Sequence, residues 1–289
     1  MIAAHVFVRP EDLWSSWAVH PEAIAPVAVA VLWYAYGAGA MRAWPRRRSI
    51  SFFVGLVAAA IALASPLDAL GETIFAGHMV QHLVLMLVTA PLLAYGAPSL
   101  PMIRALPVGM RRALGRFQRR PLGRTVARAA HRPLLALAAH AVLLWLWHLP
   151  ALYDAALRSE TVHAVEHLSF LGSAFWFWVT IVPARRRLSA PYPVRILAVF
   201  GNLLQSGALG ALLLFAARPL YTGQLAGAAV WGLSPLQDQQ LAGVLMWIPP
   251  AAFHFGVMAV LFVRWLRNTE ARMRSRDISV RVQREAEHA

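Results

Sequence analysis

Seven stretches of the chain are apolar for long enough to cross a bilayer, and polar or basic segments separate them. They run over Ala23–Met41, Ile50–Ala64, Ile74–Tyr95, Leu134–Leu149, Val162–Val182, Ile196–Ala216 and Leu241–Val263. A spanning helix needs about 20 mostly apolar residues, with about 17–25 the usual range. The second and fourth are short, so interfacial residues at their ends are expected to complete them. The pattern predicts an all-α polytopic membrane protein, a seven-transmembrane helix bundle over residues 23–265. A segment over residues 1–22 precedes it and a charged tail over 266–289 follows. Trp14 and Trp17 read as interfacial anchors. Met1 to Glu22 has no basic stretch feeding a short apolar run, so it is not predicted to be a signal peptide.

Composition agrees with this reading: 59% of the 289 residues are hydrophobic and 14% charged. A soluble domain averages about 45–50% apolar and about 25% charged, which excludes an ordinary cytosolic enzyme. The absence of cysteine excludes a disulfide scaffold and a zinc-thiolate site. A net charge of +14 would ordinarily suggest nucleic acid, but the basic residues are all arginines and their positions follow the spans. Alternate connections hold 24 of the 27, and the opposite set holds only Arg9, Arg158 and Arg218. That asymmetry puts the N-terminus outside and the C-terminus in the cytoplasm. The Arg-rich loop 99–133 becomes cytoplasmic. Within it Met110, Leu114 and Phe117 recur at helical spacing among five arginines, the pattern of an interfacial helix on anionic lipid. Membrane lipid, and not nucleic acid, is the partner these arginines predict.

Ionisable side chains inside a bilayer are costly, so each is a functional candidate. The third span reads Phe75-Ala-Gly-His78-Met-Val-Gln-His82, the fifth Val162-His163-Ala-Val-Glu166-His167, and the fourth ends Trp147-His148-Leu-Pro150. Two His-x-x-x-His pairs and a third histidine thus come from three helices at the same, outer depth. Residues at i and i+4 share a helix face about 6 Å apart along the axis, so one pair can reach one metal ion. His78, His82, His148, His163 and His167 are the candidate ligands. Asp68, Glu72 and Glu166 are candidates to accept the ligands' other N–H, with Asp154 and Glu160 on the same side. Met79 and Met86 add thioethers. Imidazole and thioether without thiolate suit copper better than magnesium, calcium or iron–sulfur, and zinc also fits. Against this stands a plain alternative, that the histidines bond between helices at their ends.

His140 and His254 fall in the inner half of the membrane and are expected to meet there, as a hydrogen-bonded pair, a second metal stop or axial ligands to haem. His5, His20, His131 and His288 are not candidates. Gly201, Ser206, Gly207 and Gly210 give the sixth span a small-residue face, with Asn202 and Gln205 able to bond across helices. Pro91 predicts a kink in the third span, and Pro249-Pro250 a break in the seventh. No phosphate loop, nucleophile triad or c-type haem motif is present.

The run Ser65-Pro-Leu-Asp68, then Gly77-His-Met-Val-Gln-His82-Leu-Val-Leu-Met86, closing with Ala90-Pro-Leu-Leu and Gly96-Ala-Pro98, resembles the CtaG-type assembly factors of caa-type cytochrome c oxidases. So do Trp147-His-Leu-Pro-Ala-Leu-Tyr153 and Val162-His-Ala-Val-Glu-His-Leu-Ser-Phe170. The likeness covers about Ala23 to Trp265. It implies a multi-pass protein of the bacterial inner membrane that helps build haem–copper oxidase and is not an enzyme. A role in copper supply is implied less firmly. His78 and His82 match the first block, and His148, His163 and His167 the second. The leading expectation is a metallochaperone that binds copper ion at a periplasmic histidine cluster and delivers it to the oxidase catalytic subunit. A copper transporter and a haem-binding redox protein are the alternatives.

Overall fold

The computed structural model describes residues 7–17, 21–184, 189–221 and 223–287, and no strand occurs among them. The Arg185–Arg187 cluster and His5, His20 and His288 lie outside the described residues. The helices are α1 (Pro21–Gly39), α2 (Arg46–Ala64), α3 (Pro66–Thr73), α4 (Phe75–Leu83), α5 (Ala90–Gly96), α6 (Ser99–Ala105) and α7 (Val108–Arg119). There follow α8 (Pro121–Ala130), α9 (Pro133–Trp147), α10 (Pro150–Arg158), α11 (Glu160–Ile181), α12 (Tyr192–Phe215), α13 (Leu225–Val230) and α14 (Pro235–Glu287). Proline opens several of them, at the position whose N–H no helix bond would use. Before Pro66, Ser65 caps α3 by accepting the Leu67 N–H at 3.2 Å.

Four stretches are long and apolar enough to cross a membrane: α2, Phe75–Gly96, α12 and Pro235–Arg274 of α14. The 15-residue α9 falls short alone and counts as a fifth only if taken together with α8, from which it is bent by 73°. These helices mark a multi-pass membrane protein. The other two apolar runs of the sequence also lie on helices. Of α1, Ala25–Gly39 is apolar but shorter. The 22-residue α11 is long enough, but His163, Glu166 and His167 lower its hydropathy. α14 continues beyond its apolar part, through the charged tail to Glu287.

Five segments close into a ring, in the order α4–α5, α11, α9, α12 and α14, with α14 returning to α4. The aromatic core sits at their centre, on Phe170, Phe177 and Trp178. α2 packs outside α5, and α1 outside α2, where Tyr34 stacks on Phe52 at 3.9 Å between centroids.

The three prolines predicted to disturb two spans leave both of them helical. Pro91 lacks an N–H, and its ring crowds the carbonyl four residues back, at Leu87. The chain answers with a π-helical segment over Val84–Thr89, and Phe75–Gly96 continues as one span. There Trp178 Nε1 donates to the Met86 carbonyl at 3.0 Å, tying α11 to the altered turn. The Pro249-Pro250 break does not occur, because α14 runs through both residues.

α12 and α14 cross at glycines. A Cβ on Gly243 would stand 2.6 Å from the Leu214 nitrogen and 2.7 Å from the Gly210 oxygen, both backbone atoms that cannot yield. Gly243→Ala is therefore expected to force the helices apart and cost about 1–3 kcal/mol. Gly207→Ala, whose Cβ would meet Trp247 at an ordinary 3.5 Å, should be tolerated. Thermal unfolding in detergent compares the two, and equal melting would refute the crossing.

Candidate metal centre

α3 and α4 are separated by one extended residue, Ile74, which has no side-chain group to cap α4. The cap comes from far along the chain. Asp238, in the first turn of α14, accepts the Phe75 and Ala76 N–H groups at 2.8 and 2.9 Å. A carboxylate at a helix N-terminus also meets the positive end of its dipole. This fixes the first turn of α4, from which His78 projects, with His82 one turn on.

Opposite, Ser159 caps α11 by accepting the Val162 N–H at 3.4 Å. One face of α11 then presents His163, Glu166 and His167. The ring centroids of His78 and His82 are 4.2 Å apart, as are those of His163 and His167. Across the gap, His78 lies 5.2 Å from His163 and His82 lies 5.1 Å from His167. The Glu166 carboxylate reaches to 3.6 Å from His78 Nε2 and 3.8 Å from His82 Nε2.

Two groups of donor atoms have geometry able to hold an ion, and both include His78: one with His163 and His167, the other with His82 and Glu166. In each, the donor atoms lie within 4.8 Å of one another. His78, His82 and Glu166 are fully buried, whereas His163 is only half-buried, so one end of the cluster faces outward. Among the described residues, both ring nitrogens of His78 and His82, one nitrogen each of His163 and His167, and Glu166 Oε2 are buried without a hydrogen-bond partner. Each such atom costs about 1–3 kcal/mol if nothing compensates it. Gathered in one place, lone pairs of imidazole and carboxylate are a donor set for a transition-metal cation.

The other sequence candidates fall around this cluster. His148 is outside both ion-holding groups: its Nδ1 donates to the Leu144 carbonyl at 2.7 Å, leaving Nε2 buried without a partner among the described residues. Asp68 accepts from Gln81 Nε2 at 2.6 Å, on the far face of α4. Glu72 is exposed on α3. Met79 and Met86 lie toward the middle of the ring. They line a cavity of about 30 Å³ in the centre of the ring, together with His82, His148, His140 and His254. The inner pair thus borders one cavity, but each ring has its own partner. His140 Nδ1 bonds Ser173 Oγ at 2.9 Å, while His254 donates from Nδ1 to the Pro250 carbonyl and accepts at Nε2 from Asn202. Both nitrogens of His254 are therefore engaged.

Sequence reasoning missed Asp238 and a polar chain behind His78. The Tyr153 ring stands edge-on to His78 at 5.3 Å, and its hydroxyl donates to Gln224 Oε1. Gln224 in turn donates to the Gly71 carbonyl at 2.6 Å. Tyr153 lay within a quoted motif block, but no local signal marks Gln224 or Asp238.

No curated protein matches the chain, and no solved structure does. A family model does match, over residues 30–268: that of the cytochrome c oxidase caa3 assembly factor. The match takes in both ion-holding groups and the five-segment ring, and the chain belongs to the cytochrome c oxidase caa3 assembly factor family.

Proposed function

We propose that this oxidase assembly factor is a seven-span protein of the bacterial inner membrane that takes up copper at its outer face and hands it to the oxidase catalytic subunit. The observation that carries the reading is the overlap of two ion-holding groups at His78. A copper ion loads onto His78, His163 and His167, where His163 is the exposed end. Keeping His78, it then exchanges the α11 imidazoles for His82 and Glu166, which are fully buried. Each exchange replaces one ligand while others hold, so the ion is never left bare in an apolar surrounding. Delivery is the same exchange toward histidines of the client. No substrate bond is made or broken, so the protein is a metallochaperone and not an enzyme. Copper is favoured over zinc by the thioethers of Met79 and Met86, which line the cavity that His82 also borders.

The arginine asymmetry supports the seven spans and the outward N-terminus, as does the coincidence of all seven apolar runs with helices. α7 has no buried residue, and α8 turns sharply away from α9, as expected of helices lying on the cytoplasmic lipid surface. The test is metal analysis of detergent-purified protein, wild type beside His163→Ala/His167→Ala. Copper should copurify with the wild type and fall by at least about tenfold in the variant. Zinc in place of copper, or equal copper in both, would contradict the proposal.

A further inference from the structure

At the end of α11 far from the histidines, a cavity of about 1250 Å³ opens between α5, α11, α12 and α14. Trp178, Phe253 and Val257 form an apolar wall, while Arg195, Arg264 and Arg272 are its charged residues. No acidic residue lines it among the described residues. Arg195 is only 7% exposed. Its Nη1 donates to the Ile181 carbonyl at 3.0 Å, and the guanidinium lies 4.2 Å over the Tyr192 ring. Its Nε is buried without a partner among the described residues. The Ile181 carbonyl and the Tyr192 side chain supply no full counter-charge, and a buried cation is costly without one. Arg264 lines the same cavity and adds a second positive charge to it.

Two guanidiniums that repel each other across a cavity free of acid call for an anion between them. The apolar wall requires that the anion carry a hydrocarbon part. No histidine, methionine or cysteine lines the space to ligate a haem iron, which sets a porphyrin aside. We propose that this cavity binds an anionic phospholipid, its phosphate held between Arg195 and Arg264 and an acyl chain laid along Trp178, Phe253 and Val257. Guanidinium pairs phosphate through parallel N–H···O bonds. Basic pockets between transmembrane helices are known hosts for anionic headgroups. The site is separate from the exposed arginines of α7, and it does not depend on the copper reading.

The test titrates labelled phosphatidylglycerol into the full-length protein in detergent micelles, with identically labelled phosphatidylcholine as the neutral control. Phosphatidylglycerol should bind more than about tenfold tighter, given about fivefold per arginine near the headgroup. Arg264→Gln, which removes no helix cap, should cost about fivefold in phosphatidylglycerol affinity with unchanged melting. Arg195→Gln should cost more and also lower the melting temperature, because it frees the Ile181 carbonyl. Equal binding of the two lipids, or no response to Arg264→Gln, would overturn the proposal. Complete displacement of the lipid by inorganic phosphate would assign the site to the free anion instead, and overturns it too.

Discussion

His78→Leu is expected to abolish tight metal binding while leaving the metal-free protein as stable as the wild type or more so. Only His78 belongs to both ion-holding groups, so its loss disables both at once. Glu166→Ala should spare the group made with His163 and His167, and His163→Ala the group made with His82 and Glu166. Removing a residue that merely supports a metal ligand costs about 10–100-fold in affinity. The single His163 and Glu166 variants should fall in that range, and His78→Leu should exceed it. Stability should move the other way. His78 is wholly buried and both its nitrogens lack hydrogen-bond partners among the described residues, so the ring is a liability to the metal-free fold. Leucine fills a similar volume with no polar atom to desolvate, and such replacements are often neutral or stabilising. A histidine that bridged helices would behave oppositely, and its loss would lower the melting temperature. Metal titration with thermal unfolding of the same metal-free samples separates the cases. A His78→Leu protein that melts lower and binds metal as before would return these histidines to a structural role.

The two His-x-x-x-His pairs were legible because spacing on a helix is a local property. Four residues bring two rings onto one face whatever the tertiary fold does. A matching depth for the third and fifth apolar runs could be counted as well, since the arginine pattern has both entering from the same side. What counting does not supply is rotation about each helix axis. His148 sits at the right depth, yet its Nδ1 turns to the Leu144 carbonyl of its own helix, and it stands outside both ion-holding groups. Rotation also decides what Glu166 meets. Its position between two histidines suggested a supporting role, whereas packing sets its carboxylate against His78 and His82 directly. Proline was visible but its consequence was not. Pro91 and Pro249-Pro250 promised a kink and a break, and their neighbours supplied a π-helical segment in one helix and an uninterrupted run in the other. Asp238 and Gln224 were beyond reach, since each bonds a segment more than 150 residues away. Nothing in the sequence around them distinguishes a remote cap from a surface polar residue.

Asp238 carries the second large expected effect, because its one carboxylate joins α14 to α4 beside the candidate metal centre. α4 begins after Ile74, which cannot cap it, so the Phe75 and Ala76 N–H groups depend on Asp238 alone for their side-chain acceptor. Asp238→Ala leaves two buried donors unsatisfied. At about 1–3 kcal/mol each, the variant should lose about 2–6 kcal/mol of stability. Asp238→Asn retains one carbonyl oxygen but turns an amide toward the second N–H, so it should fall between alanine and the wild type. The effect should reach the metal. His78 is three residues beyond Phe75, and a loosened first turn no longer holds its ring against His163 and Glu166. Metal affinity should therefore drop about 10–100-fold, although Asp238 itself belongs to neither ion-holding group. Asp68→Ala provides the contrast, since the Gln81 bond it removes lies on the opposite face of α4. Its metal affinity should change less than that of Asp238→Ala. Unfolding and metal titration across the three variants order them, and an Asp238→Ala protein with wild-type melting and affinity would show that α4 needs no partner from α14.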